Sequence, residues 1–277
     1  MRMWNAECRK WSVLLAVCAV AVVALAEDAV EEIEEVEEAV VTEDVVVAEE
    51  HGQWTYALIG SYVANRGNTH SDKYTATAEA TFRNKFHRLY FGAGYAYARQ
   101  KDTATGDVAT SEDNWYAKGQ YDHFITEALY AYLNAKHESD TIANLKGRET
   151  VGTGLGYQWI DWADFGVKTE GGVTYFHEVY DDGEGEREGR DVVSLRLAYG
   201  IHKEVNDTVQ LFHNLEYLPD VTAWNHYLIN ADLGGRVKLT KHLLFEAKAE
   251  WRYNSSPLLD DVEKIDSRYT VGLGYTF

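Results

Sequence analysis

Arg268-Tyr269-Thr270-Val271-Gly272-Leu273-Gly274-Tyr275-Thr276-Phe277 is the stretch that decides the fold. Large apolar and aromatic side chains alternate in it with small or polar ones, beginning with the apolar Tyr269. A period of two places the two kinds of residue on opposite faces of a β-strand. A strand of an outer-membrane barrel has this pattern, because one face meets lipid and the other meets the lumen.

The same alternation recurs from Gln53 onward in segments of about ten residues, the length of a tilted transmembrane strand. It predicts strands at 53–64, 72–83, 87–99, 114–123, 127–138, 148–159, 165–177, 191–202, 208–218, 226–238, 243–253 and 267–277. Short predicted turns alternate with long polar loops at 65–71, 100–113, 139–147, 178–190, 219–225 and 254–266. An even strand number and alternating connection lengths are typical of bacterial barrels. We therefore predict an all-β fold, a transmembrane antiparallel up-and-down β-barrel of about twelve strands over residues 53–277.

A soluble β-sandwich also alternates, but its apolar face would point inward and its polar face outward. The segment 243–253 argues against that arrangement, because Glu246, Lys248, Glu250 and Arg252 occupy one whole face of it. At the centre of a bilayer each Lys or Arg on the lipid side would cost about 2–4 kcal/mol. We therefore expect these four side chains to face the lumen and to pair with neighbours such as Asp232, Arg236 and Arg268.

Residues 1–26 have the features of a secretory signal peptide. Arg2, Arg9 and Lys10 precede an apolar run over 12–24, and Ala24-Leu25-Ala26 supplies small residues for cleavage. The alternative, a membrane-anchor helix, would need about 20 consecutive apolar residues. Cleavage after Ala26 would remove both cysteines of the chain, so the mature protein would have neither a disulfide nor a thiolate metal ligand.

Residues 27–52 form an acidic leader rich in Glu and Val. Positions 27–50 hold twelve acidic residues and no basic one, within a chain whose formal net charge is −19. Like charges in such density repel one another and favour a flexible segment. Val30, Ile33, Val36 and Val40 leave open a short amphipathic helix that folds on a periplasmic partner, or diffuse cation chelation. The acidity argues against nucleic-acid binding, which needs Lys and Arg on phosphates. The expected partners are the lipid bilayer and the outer-membrane assembly machinery.

No residue spacing indicates a catalytic, metal or cofactor site. The Gly-x-Gly pairs at 92/94, 152/154/156 and 272/274 lie within predicted strands, whereas a nucleotide-binding loop would lead into a helix. We expect these glycines to relieve crowding in a narrow lumen. The ten histidines show no metal-ligand spacing. A Ser-His-Asp site is recognised by geometry and not by spacing. An outer-membrane hydrolase, lipase-like or protease-like with a site at the extracellular rim, therefore stays the alternative.

The inward face carries both signs of charge. The candidate functional residues on it are Lys118, Asp122, Lys168, Glu170, Arg196, Glu216, Asp232, Arg236, Glu246, Lys248, Glu250, Arg252 and Arg268, and the same face also carries Lys73, Glu79, Arg83, Lys136, Glu138 and Arg148. One interpretation is a polar pore, and the other is an ion-paired plug that fills the barrel. Twelve strands fall between barrels that side chains fill and barrels with wide water channels. We expect a narrow, largely filled interior.

Several short motifs resemble those of the salt-stress-induced outer-membrane protein family, a bacterial domain of unknown function. They are Gly67-Asn68-Thr69, Asp122-His123-Phe124, Gly152-Thr153-Gly154-Leu155-Gly156-Tyr157, and Pro257 with Lys264-Ile265-Asp266 and Gly272-Leu273-Gly274-Tyr275-Thr276-Phe277. The resemblance covers residues 54–277 and implies an outer-membrane barrel with no established catalytic residue. It also implies a role in salt or envelope stress. We expect a non-enzymatic, porin-like narrow channel or a structural envelope protein in the outer membrane of a diderm bacterium.

Overall fold

Twelve β-strands follow one another along the chain in a computed structural model that describes residues 52–65, 70–101, 105–181, 187–257 and 263–277. The strands are β1 (Gln53–Asn65), β2 (His70–Arg83), β3 (His87–Lys101), β4 (Val108–Phe124), β5 (Leu129–Asp140), β6 (Leu145–Asp161), β7 (Phe165–Asp181), β8 (Arg187–Glu204), β9 (Val209–Pro219), β10 (Tyr227–Lys238), β11 (Leu243–Asn254) and β12 (Ile265–Thr276). The predicted signal peptide, residues 27–51 of the predicted leader and the Gly67-Asn68-Thr69 motif lie outside the described residues.

The sheet closes into a barrel. Each strand pairs antiparallel with its neighbours in the chain, and β1 pairs with β12, so that Ala57 lies opposite Thr276 and Gly60 opposite Leu273. The amide of Tyr56 also donates to the carbonyl of Phe277 at 3.1 Å. Closure gives every strand two hydrogen-bonded neighbours, which a β-structure needs in order to span lipid. The prediction of a twelve-stranded transmembrane barrel is confirmed.

The two faces of the wall have the inverse polarity of a soluble protein. Val271 and Leu273 point outward with 54% and 55% of their surfaces exposed, whereas Asp122 points inward with 2% exposed. Apolar residues outside and carboxylates inside suit a barrel in lipid with a polar lumen. Within the described part of the chain, no helix is long and apolar enough to cross a membrane.

Several connections at the upper rim, the rim opposite the short turns, are shorter than predicted. The loop expected over 139–147 is a four-residue turn, in which Asn144 takes a φ of 55°. The amide of Thr141 donates to the carbonyl of Asp113 at 2.9 Å. β4 and β8 likewise begin at Val108 and Arg187, within segments predicted as loops. Where a strand extends beyond the lipid, water contacts both of its faces, so the alternation of polarity that marks a strand is lost.

Inward aromatic rings lie flat against glycines of the neighbouring strand. A Cβ atom at Gly156 would come within 2.2 Å of the Tyr130 ring, and one at Gly94 within 2.5 Å of the Tyr116 ring. A side chain at either glycine would therefore displace the ring. These close approaches agree with the expectation that the glycines relieve crowding in the lumen.

Substitution of Val271 by arginine should destabilise the barrel much more than the same change at Ile265. Both side chains are more than half exposed on the outer face of β12, but Val271 is central in the strand and Ile265 is its first residue. We expect a loss of about 2–4 kcal/mol for Val271→Arg and about 0–1 kcal/mol for Ile265→Arg, because the cost of a cation depends on its depth in lipid. Urea unfolding in lipid vesicles measures both. Equal losses would contradict the assignment of the lipid-facing surface.

Candidate functional site

The inward side chains surround a cavity of about 610 Å³, which we call the central chamber. Strands β2 to β11 contribute to it, because every second residue of each strand points into the lumen. Its charged lining residues are Glu79, Arg88, Lys118, Asp122, Lys136, Glu138, Arg148, Lys168, Glu170, Arg196, Glu216, Asp232, Arg236, Lys248, Glu250 and Arg252. The lumen is therefore neither a wide pore nor fully packed, but a polar chamber with a densely charged wall.

Glu170 on β7 is the centre of one hydrogen-bonded network. Its Oε1 accepts from Gln120 at 3.0 Å, from the Tyr130 hydroxyl at 2.8 Å and from Lys168 at 3.1 Å. Its Oε2 accepts from Arg196 at 2.7 Å, and Arg196 also donates to Glu216 at 2.6 Å. A buried carboxylate loses several kcal/mol of hydration, which is offset only when its oxygens are well bonded. Four donors meet that requirement, so we expect Glu170 to be a fixed part of the wall.

A second network, the Glu138–Glu178 network, crosses the lumen. Glu138 on β5 accepts from Lys136 at 2.6 Å, from Arg148 at 3.0 Å and from Arg252 at 3.3 Å. Arg148 continues to Glu178 on β7 at 2.8 Å, and Glu178 also pairs with Arg190 on β8. Because β5 and β11 are six places apart in a ring of twelve strands, the contact between Glu138 and Arg252 joins opposite walls.

Two further groups of ion pairs extend between strands that are not neighbours. Arg236 on β10 donates to Glu246 on β11 at 2.7 Å and to Glu79 on β2 at 3.0 Å. Arg268 on β12 donates to Glu112 on β4 at 2.9 Å, and Lys73 on β2 lies 2.7 Å from the same carboxylate. These contacts hold distant parts of the wall together and narrow the lumen.

The remaining candidate residues lie on the wall of the chamber with fewer contacts. The ammonium of Lys248 is 3.4 Å from Glu250 on the same strand, and Asp122 accepts from Arg88 at 2.6 Å. Asp232 accepts a hydrogen bond from Asn214 at 2.8 Å. Lys118 extends over the ring faces of two tyrosines and has no ion pair among the described residues.

The structure places all thirteen candidate residues on the inward face, but their pairing differs in part from what the alternation predicts. Of the expected pairs of the β11 residues with Asp232, Arg236 and Arg268, the structure forms the one between Arg236 and Glu246. Arg268 lies directly opposite Glu250 in the register, yet it donates to Glu112 across the lumen. The curvature of a narrow barrel brings long side chains closer to distant strands than a flat sheet would.

Several ionic residues of the lumen are not predicted from the sequence, among them Arg88, Glu112, Glu178 and Arg190. Glu112, Glu178 and Arg190 fall in segments predicted as loops, because polar residues on both faces hide the strand there. The sequence does contain a signal for the inward orientation of Arg88, since this residue alternates with the outward Leu89 in the predicted strand 87–99. The alternation does not predict inward aromatic rings such as Tyr130, because it assigns aromatic side chains to the lipid-facing surface.

The central chamber presents a polar, charged surface to its interior. The described residues contain no group of three or more His, Cys, Asp or Glu side chains placed to hold a metal ion. Most of the charged groups on the wall are held by partners, so they form a fixed polar surface and not a set of free acids and bases.

Replacement of Glu178 by glutamine should destabilise the barrel by about 3–5 kcal/mol, because it leaves the guanidinium groups of Arg148 and Arg190 without their shared buried carboxylate. Glu149→Gln is the control, since its side chain is 54% exposed on the outer surface and its ion pair with His137 contributes at most about 1 kcal/mol. Urea unfolding in detergent would compare the two. Similar stabilities for both variants would contradict a structural role for the Glu138–Glu178 network.

Comparisons with known proteins identify a family and several similar proteins. The uncharacterized protein YdiY of Escherichia coli K12 is 23% identical over 222 residues, which cover 79% of this chain and 81% of YdiY. Similar solved structures include the translocator domain of the autotransporter NalP from Neisseria meningitidis, with a TM-score of 0.43, 12% identity and coverage of 84% of this chain and 92% of that one. The NanC porin has a TM-score of 0.45, 7% identity and coverage of 80% and 98%. The family described as "Protein of unknown function, DUF481" matches residues 60–277, and the chain belongs to it.

Proposed function

We propose that this protein is a non-enzymatic outer-membrane barrel that serves as a narrow channel for small polar solutes. The observation that carries the proposal is the central chamber of about 610 Å³, which lies in the lumen of a transmembrane barrel and has a charged wall. A barrel filled by side chains would leave no such space. A polar interior is also the common feature of barrels that admit water and solutes.

The contacts across the lumen support a narrow channel over a wide one. Arg252 reaches Glu138 on the opposite wall, and Arg236 reaches Glu79 four strands away. Each bridge occupies space that a solute would have to pass. Porins of 16–18 strands leave an open aqueous channel, and a twelve-stranded barrel with such bridges should conduct far less.

The closed barrel with an apolar outer surface also supports the proposed outer-membrane location. Barrels of an even number of antiparallel strands, with an apolar outer band, are the form of bacterial outer-membrane proteins. A cleaved signal peptide over residues 1–26 would provide the export that this location requires. The proposed role in salt or envelope stress rests on the resemblance to the salt-stress-induced family.

We expect the protein to fractionate with outer membranes and to migrate faster in mild detergent before boiling than after it. A closed barrel resists unfolding by detergent, because all its backbone groups are bonded within the ring. Sucrose-gradient fractionation and electrophoresis of heated and unheated samples provide the measurement. Recovery as a soluble periplasmic protein would contradict the proposal.

Purified protein in planar bilayers should give discrete conductance steps that are small compared with those of 16-stranded porins. Arg252→Gln should enlarge them, because it removes a bridge between opposite walls while Glu138 keeps Lys136 and Arg148 as partners. The matched control is Lys241→Gln, an exposed residue of the turn between β10 and β11, which should leave the steps unchanged.

The absence of steps in both the wild type and Arg252→Gln would favour a structural envelope protein over a channel. Release of fatty acids or peptides from added phospholipid or peptide substrates would instead favour the hydrolase alternative.

A further inference from the structure

Two opposite charges on the wall of the central chamber lack an ionic partner. In the described part of the chain, every other charged residue that lines the chamber has an oppositely charged side chain within 4.0 Å. The exceptions are one cation, Lys118, and one carboxylate, Asp232. Because the other charged residues of the wall are paired, one positive and one negative side chain remain available to a solute.

These two residues face each other across the lumen. Lys118 is on β4 and Asp232 is on β10, six places apart in the ring of twelve strands. The two charged groups form no contact with each other within 4.0 Å. Both line the same central chamber.

The surroundings of each charge keep it directed into the chamber. The ammonium of Lys118 is exposed and lies 5.1 Å from the centre of the Tyr90 ring and 5.8 Å from that of Tyr116. Asp232 is held by the amide of Asn214 at 2.8 Å, and Glu250 lies directly opposite it on β11. One wall of the chamber thus presents a cation between aromatic rings, and the facing wall presents an acidic site.

We propose that the central chamber is a passage site for small zwitterionic solutes, such as free α-amino acids. The solute carboxylate pairs with Lys118, and its ammonium pairs with Asp232, with Glu250 nearby. This inference rests on the proposed channel function and names the class of solute that the channel prefers.

A zwitterion fits the pair of charges better than other small solutes do. An organic anion would neutralise Lys118 and leave Asp232 without a partner, and an organic cation would do the reverse. A neutral solute would gain neither contact. Ligand sites commonly measure about 300–1,000 Å³, so a chamber of about 610 Å³ holds a small solute together with water. Exposed ion pairs are weak, which suits a site that must release its solute.

Swelling of proteoliposomes in isosmotic L-serine and in isosmotic erythritol tests the preference, since the two solutes are similar in size and one is neutral. The wild type should admit serine faster relative to erythritol. Lys118→Gln and Asp232→Asn should each lower this ratio by roughly two- to fivefold, the effect of one weak ion pair. Lys203→Gln, which removes a lysine at the end of β8 that pairs with Asp164 outside the chamber, should change neither rate.

An unchanged serine-to-erythritol ratio in Lys118→Gln and Asp232→Asn would overturn the zwitterion site and leave the channel function standing. If neither solute enters the vesicles, the channel function fails, and equilibrium dialysis of radiolabelled serine against the detergent-solubilised barrel then decides on the site. Binding by the wild type that is weakened in Lys118→Gln would support it, and equal binding or none would overturn it.

Discussion

The structure depends on one constraint, which is that a chain in lipid must satisfy all of its backbone hydrogen bonds internally. The pairing of β1 with β12 meets this constraint by closing the ring. Closure then determines the rest, because each strand has one face toward lipid and one toward the lumen. Outward positions such as Val271 must be apolar, and charged groups of the membrane-spanning strands are confined to the enclosed space.

Confinement explains why the lumen is held by ion pairs. A ring of twelve strands is narrow, so side chains from opposite walls meet, as Glu138 and Arg252 do. Buried charges are costly unless well bonded, and Glu170 has donors for both of its oxygens. If the barrel conducts, as proposed, the bridges that stabilise it would also restrict what passes through it, so stability and permeability would depend on the same residues.

The alternation of polarity was sufficient to predict the strand number and the inward face, because it arises directly from the contrast between lipid and lumen. The alternation does not predict the strand segments beyond the lipid, because water contacts both of their faces. Glu112 and Glu178 lie in strand segments whose sequence predicts loops, since polar residues occupy both faces there. Pairing across the lumen, such as that of Arg268 with Glu112, could not be predicted, because it depends on curvature and side-chain length and not on register.

The unpaired charges of Lys118 and Asp232 bear on whether the lumen is wet. An ammonium or carboxylate without a partner costs several kcal/mol in a dry interior, whereas in water it keeps its hydration. Neither side chain reaches a partner of opposite charge within 4.0 Å in the described structure, although other lysines of the wall, such as Lys136, do so. Water in the central chamber would offset this cost. In the proposed channel, the exposed Lys118 and the half-buried Asp232 would be the charges at which a polar solute exchanges its hydration for contacts with the protein.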